Sequence, residues 1–233
     1  MISVVIRTKN EIKTIPRLIA KLKLQTFIKF EIIVVDNEST DGTCEYAKRY
    51  ADKVITIKKD EFSHSRSCNQ GILASSGEYI YFTNGHSLPI SNLMFEVSEN
   101  ILNKDSNLGG LFGRAYPYPK NHTFIEGLNS KFDSILLPNH LKKFNKYCAY
   151  MQHTISCINR TQLMKENQFK EMECGAGEDS LWAMEMLMQN YNFAYSPSLD
   201  VYHSHGGSNL ETIKRYWLYY RSTKEAKYKS RTK

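Results

Sequence analysis

The sequence predicts an α/β domain organised on a mostly parallel sheet, and three features carry that prediction. Short apolar runs, Ile2 to Ile6, Glu31 to Val35, Lys53 to Ile57 and Glu78 to Thr83, alternate with segments of helical spacing. The first run is unbroken, as in a strand covered on both faces. Each of three runs ends in a polar cluster: Arg7-Thr8-Lys9-Asn10-Glu11, Asp36 to Thr43, and Asn84-Gly85-His86. Ligands of open α/β sheets sit beyond the carboxyl ends of strands, so these clusters mark where a ligand should be sought.

In chain order, Thr14 reads as the cap of a helix with Pro16 in its first turn and Leu18, Ile19 and Leu22 on its inner face, running to about Gln25. The stretch from Phe62 to Pro89 reads as a loop bearing His64, Arg66 and Asn69, a short helix closed by Ser75-Ser76-Gly77, and the strand that delivers Asn84 and His86. A helix from Ser91 to Asn103 and a strand near Leu108 to Ala115 follow. From Tyr116 to about Tyr150 periodicity fails, which predicts irregular substrate-facing structure. Thr154 to Asn159 returns to strand, and Gly175-Ala176-Gly177-Glu178-Asp179 opens a helix with two carboxylates in its first turn. The short strands Phe193 to Tyr195 and Leu199 to Tyr202 lead to His203-Ser204-His205-Gly206-Gly207. The aromatic residues at 216 to 220 and the methionines at 184, 186 and 188 read as packing.

With 233 residues, 41% hydrophobic and 24% charged, the chain has the composition of a soluble globular protein. It runs straight into a strand, so no leader is expected, and no apolar run nears the roughly 18 residues of a membrane span. Cys44, Cys68, Cys148, Cys157 and Cys174 are odd in number and lack a C-x-x-C pair. That argues against a disulfide framework and a zinc site, and for a reducing cytoplasm. After Asn209, eight basic residues face two acids and so hold +6 of the net +7. The basicity belongs to the C-terminal segment, which disfavours nucleic acid and favours an anionic surface or lipid. There Leu210, Ile213, Trp217 and Tyr220 share a helical stripe, which suits an interfacial or partner-binding helix.

Ser3 to Glu11, Val34 to Thr43, Phe62 to Pro89, Gly177-Glu178-Asp179 and His203 to Trp217 together resemble a family 2 glycosyltransferase of the GT-A fold, in its rhamnosyltransferase-like branch. The resemblance implies one catalytic domain over residues 1–205, with a donor-binding half at 1–115, an acceptor-side half at 116–205 and a basic amphipathic tail at 206–233. It also implies an inverting transfer of a sugar from a nucleotide diphosphate to a hydroxyl of a surface polysaccharide or lipid-linked glycan. Asp36 would accept from the base of the donor, with Thr8 and Asn10 in the same pocket and Arg7, Glu11, Arg66, Asn69, Asn84, Gly85 and His86 completing the donor site. Asp179 would be the general base, held ionised at a helix N-terminus, with Glu178 able to exchange roles with it. His203 and His205 would reach the diphosphate or the acceptor. Where the family carries a metal-binding D-x-D motif this chain has Asn84-Gly85-His86, a poor site for hard Mg²⁺ or Mn²⁺. No metal or other cofactor is therefore expected. Either Arg66, Arg7 or Lys9 neutralises the leaving diphosphate, or the chain has lost catalysis and binds a nucleotide sugar or glycan only. A transferase with a different sugar-diphosphate donor is the remaining alternative. The expected location is cytoplasmic, with peripheral contact to the inner membrane face through the tail.

Overall fold

A computed structural model describes residues 1–136, 142–144, 155–164, 168–173, 175–205 and 207–231. Its strands are β1 (Ile2–Thr8), β2 (Phe30–Asp36), β3 (Lys53–Thr56), β4 (Tyr79–Asn84), β5 (Leu88–Pro89), β6 (Leu108–Phe112), β7 (Ala115–Tyr116), β8 (Lys142–Phe144), β9 (Ile155–Asn159), β10 (Asn192–Tyr195) and β11 (Val201–Tyr202). The helices are α1 (Ile15–Lys23), α2 (Thr43–Tyr50), α3 (His64–Ala74), α4 (Met94–Lys104), α5 (Phe124–Leu136), α6 (Arg160–Met164), α7 (Glu178–Met188) and α8 (Asn209–Arg231). Eight strands form one sheet in the order β3-β2-β1-β4-β9-β6-β10-β8, and β5-β11-β7 form a small second sheet. Strands β3, β2, β1 and β4 are all parallel, whereas β9 runs antiparallel to both β4 and β6.

Alternate side chains of the central strands fill two cores, one on each face of the sheet. Ile2, Val4, Ile6, Tyr79 and Tyr81 point into the core under α1 and α4, while Val5, Ile80 and Phe82 point into the core with Trp182 and Ala183 of α7. This two-faced burial is why these strands read as apolar runs rather than alternating ones. The parallel register pairs Thr8 with Asp36 and Arg7 with Asn84, so the polar ends of β1, β2 and β4 meet at one edge of the sheet.

Four expectations change. Helix α1 ends at Lys23, and Gln25 beyond it uses its buried amide to bind the Ser91 carbonyl and the Met94 N–H, which starts α4 at Met94. Thr14 stands at the N-cap, but its hydroxyl donates to Glu11 and accepts no backbone N–H. The stretch 116–150 is not irregular throughout: it contains α5 and β8, and of it residues 137–141 and 145–150 lie outside the described part.

The C-terminal segment is the fourth. It forms α8, which packs on α7, with Ala226 fully buried against Met172, Leu181 and Met184 and Ser222 only 3% exposed. Gly177 permits this approach, since a Cβ there would lie 2.8 Å from that of Ser222. Leu210, Ile213, Trp217 and Tyr220 lie outside this contact, at 50–61% exposure. Among the described residues no helix is long and apolar enough to cross a membrane. Truncation after Arg221 removes Ala226 and bares the apolar face of α7, so we expect a loss of about 2–4 kcal/mol. Urea unfolding measures it, and an unchanged midpoint would show that α8 only rests on the body.

Candidate active site

A cleft of about 690 Å³ opens at the polar edge of the sheet. One wall comes from the ends of β1 and β4 and the turn after β2: Arg7, Thr8, Asn37, Asn84 and His86. The start of α7 supplies Gly177, Glu178, Asp179 and Ser180 opposite, and α8 contributes Tyr219, Tyr220, Ser222 and Thr223. Lys9, Lys59, Phe62 and His64 also line it, as do His203 and His205 after β11. Thr8 Oγ1 and Asn37 Oδ1 are buried in this wall with no hydrogen-bond partner among the described residues. Buried polar atoms are seldom left so, and an incoming ligand is a natural partner for them.

The electrostatic centre is Arg7, whose Nη1 lies 3.3 Å from Glu178 Oε1 and 2.9 Å from His64 Nδ1. A guanidinium only donates, so His64 Nδ1 accepts and its proton sits on Nε2. Burial and the neighbouring Arg7 push the His64 imidazole down to about 4, which leaves it neutral. Burial, and next the Asp179 charge, push the Glu178 carboxyl up to about 7, against the opposing pull of Arg7. The helix N-terminus therefore does not hold Glu178 firmly ionised: loss of water outweighs it. Asp179, half-buried, lines the cleft beside it.

A second cluster lies by Asn84. Glu11 Oε1 binds His86 Nδ1 at 2.6 Å, and His86 Nε2 lies 2.9 Å from His203 Nε2, with the two rings stacked at 4.7 Å. His205 stands edge-on to both rings. Although burial opposes it, hydrogen bonds from His86 and Thr14 hold the Glu11 carboxyl below its ordinary value. Gly85 makes the cluster possible, because a Cβ there would meet Thr8 Oγ1 at 2.7 Å.

Residues 3–97 match the family model of glycosyl transferase family 2. Over those residues the chain is similar to family 2 glycosyl transferases. It is 25% identical over 198 residues to the O-antigen chain rhamnosyltransferase WbaN of Salmonella anatum, covering 83% of this chain and 62% of the relative. The chain thus spans under two thirds of that protein. In fold it is similar to the mannosyltransferase PcManGT of Pyrobaculum calidifontis, solved with GDP-Man and Mn²⁺ (TM-score 0.68, 19% identity, 92% of this chain and 60% of that one). It is also similar to S. aureus TarS 1-349 with UDP-GlcNAc (TM-score 0.67, 16% identity, 88% and 59%). These likenesses establish the GT-A fold.

Of the residues that the resemblance led us to expect in the site, Arg7, Thr8, Glu11, Asn84, His86, Glu178, Asp179, His203 and His205 line the cleft, with Gly85 packed beneath. Four do not. Asp36 is buried and turns inward on Ser39, accepting from its N–H and hydroxyl, so it begins a turn and it is Asn37 that reaches the cleft. Asn10 braces the same turn through Ser39 and Thr40. His64, Arg66 and Asn69 lie on α3, not a loop; Arg66 is exposed and donates to the Glu61 carbonyl, and Asn69 is locked to the Phe169 backbone. Lys59, Phe62, Tyr219 and Tyr220 line the cleft though the sequence reading gave them no part; Tyr219 and Tyr220, read as packing, are 43% and 50% exposed. The hard metal ion of the fold family does not fit. Asn84 offers only a carboxamide whose oxygen already accepts from Ser87, and both Glu11 oxygens are engaged, by His86 and Thr14.

A carboxyl raised from 4.5 in the unfolded chain to about 7 in the folded one binds more protons when folded. Its contribution to stability is complete below the lower value and is lost as pH rises through the upper one. We therefore expect the melting temperature of the wild type to fall more steeply between pH 5 and 8 than that of Glu178→Gln. Parallel slopes would mean that Glu178 is ionised throughout.

Proposed function

We propose that the chain is the catalytic part of an inverting glycosyltransferase, which moves a sugar from a nucleoside diphosphate to a hydroxyl of a surface polysaccharide or lipid-linked glycan. One observation carries the reading: a cleft walled on one side by unpartnered buried oxygens and cations, and on the other by a pair of acids, in a chain similar to family 2 glycosyl transferases. Thr8 and Asn37 offer the acceptor and donor atoms that a base or ribose needs. Arg7, Lys9 and Lys59 face the cleft and supply charge for a leaving diphosphate without a divalent ion.

In this reading Asp179 takes the proton of the acceptor hydroxyl as the oxygen attacks the anomeric carbon. The bond from that carbon to the diphosphate oxygen breaks, and the nucleoside diphosphate leaves with the electron pair. Asp179 is the better base because Glu178 is buried and held by Arg7. Tyr219, Tyr220 and Phe62 give apolar faces on which an acceptor sugar can stack. The basic, aromatic outer face of α8 would bring an anionic, lipid-bearing surface close, which salt-sensitive co-sedimentation with anionic vesicles checks.

Isothermal titration with UDP, dTDP and GDP, with and without Mg²⁺ or Mn²⁺, tests the donor site; we expect one nucleotide to bind in EDTA as well as with added Mg²⁺ or Mn²⁺. An absolute requirement for Mg²⁺ or Mn²⁺ would refute the cation-only account. Asp179→Asn should lower turnover at least about a hundredfold with nucleotide affinity little changed. Full activity in that variant, with loss in Glu178→Gln, would reverse the two roles. Nucleotide binding without turnover on any acceptor would favour a binding module.

A further inference from the structure

The cluster of His86, His203 and His205 suits a metal ion, though not the kind the fold family uses. One ligand nitrogen from each of the three lies within 4.8 Å of the others, and all three side chains reach the cleft. They come from two distant parts of the chain, the turn after β4 and the loop after β11, joined only by folding. The cysteine pattern said nothing about them, and Asn84-Gly85-His86 taken alone offers one imidazole.

We propose that these three imidazoles bind a first-row transition ion of the zinc class, in preference to Mg²⁺ or Mn²⁺. Imidazole nitrogen favours Zn²⁺, Co²⁺, Ni²⁺ and Cu²⁺, whereas Mg²⁺ and Mn²⁺ prefer the carboxylate oxygens this site lacks. The surroundings support it. Glu11, bound to His86 Nδ1, fixes that proton and leaves Nε2 with its lone pair turned toward His203, the carboxylate–histidine pairing found behind metal ligands. The backbone N–H of His205 is held by Glu126 Oε1, which also meets Arg215 of α8, so the backbone that carries the third ring is anchored from outside. The 2.9 Å contact between His86 and His203 is a hydrogen bond in which His203 Nε2–H donates, and an ion seated there takes the place of that proton, with His203 carrying its proton on Nδ1 instead. Seating a tetrahedral ion between the two nitrogens parts them to about 3.3 Å, given metal–nitrogen bonds of about 2.0–2.1 Å. That is a movement of a few tenths of an ångström, within reach of a small ring rotation. Three ligands leave an open position toward the cleft. The binding of the ion does not depend on the function proposed above, in which Arg7, Lys9 and Lys59 meet the diphosphate without it.

The test uses the intact protein with metal alone. We expect Co²⁺, added to chelator-treated protein, to bind one ion per chain with the intense visible absorption of a four- or five-coordinate site. One equivalent of Zn²⁺ should displace it, and millimolar Mg²⁺ or Mn²⁺ should not. His205→Ala removes an exposed ligand without disturbing a core, and it should weaken Zn²⁺ at least about tenfold, as should His86→Ala. His122→Ala, a histidine outside the cluster, should change nothing. Octahedral Co²⁺ spectra, Mn²⁺ binding as tightly as Zn²⁺, unchanged affinity in His86→Ala, or no binding at micromolar Zn²⁺ would each overturn the proposal. Nucleotide titration of the chelator-treated protein runs separately: its failure would count against the transferase reading and leave the metal result standing.

Discussion

The cleft depends on one buried contact, that between Arg7 and Glu178. Arg7 lies next to the end of the central parallel strand β1, and Glu178 opens α7, 171 residues later. The side chain of Glu178 is 5% exposed and that of Arg7 14%, so neither charge has free access to water. A buried pair of this kind adds little net stability over an apolar replacement, yet removing one partner costs about 3–5 kcal/mol, because the other is left uncompensated. Its value here is positional. His64 from α3 meets the same guanidinium nitrogen, so three elements are fixed at one point. Behind it Trp182 packs edge-on against Phe169 and Phe193, which seats α7 on the sheet. The direction in which Asp179 faces follows from that seating.

The parallel part of the sheet was legible because burial on both faces leaves its strands no polar alternation to obscure them. The acids of α7 were legible too, since a glycine followed by two carboxylates is a plain helix start. Arg66 and Asn69 were misplaced for a geometric reason. Ser63 caps α3 by accepting from the Arg66 N–H, so the helix begins at His64. Residues two apart on a helix face opposite ways, and once His64 turns toward Arg7, Arg66 must turn outward. Asp36 shows the limit of reading a strand end residue by residue. Its carboxylate is taken up by the turn it starts, and it is the neighbouring Asn37 that faces the cleft, with its oxygen unpartnered among the described residues.

The role of α8 was hidden for a different reason. Charge counts and an apolar stripe describe the outer face of a helix, whereas the inner face here is made of small residues, Ser222 and Ala226, that carry almost no hydrophobic signal. Small side chains let two helices come close, and the missing Cβ of Gly177 completes the fit. The result is that the segment richest in positive charge also supplies Tyr219 and Tyr220 to the cleft. The histidines were similarly invisible as a group. Each was noted, but their juxtaposition depends on β11 pairing with β5 in the small sheet, a contact that no local pattern announces.

The charges in the cleft are not independent of one another. Burial, before any neighbour, keeps His64 and His205 neutral and pushes His203 the same way, so these rings offer hydrogen bonds rather than positive charge. Positive charge at the cleft wall comes from Arg7, Lys9 and Lys59, and that of Arg7 is shared with Glu178. An anion that draws Arg7 toward itself weakens an interaction that holds the Glu178 pKa down. The carboxyl is then governed by burial and by the Asp179 charge, both of which favour the proton. Binding of an anion and protonation of Glu178 are therefore linked, each favouring the other. A protonated Glu178 in turn removes a like charge from beside Asp179. The contact that fixes the cleft thus also couples its acid pair to whatever anion the cleft receives.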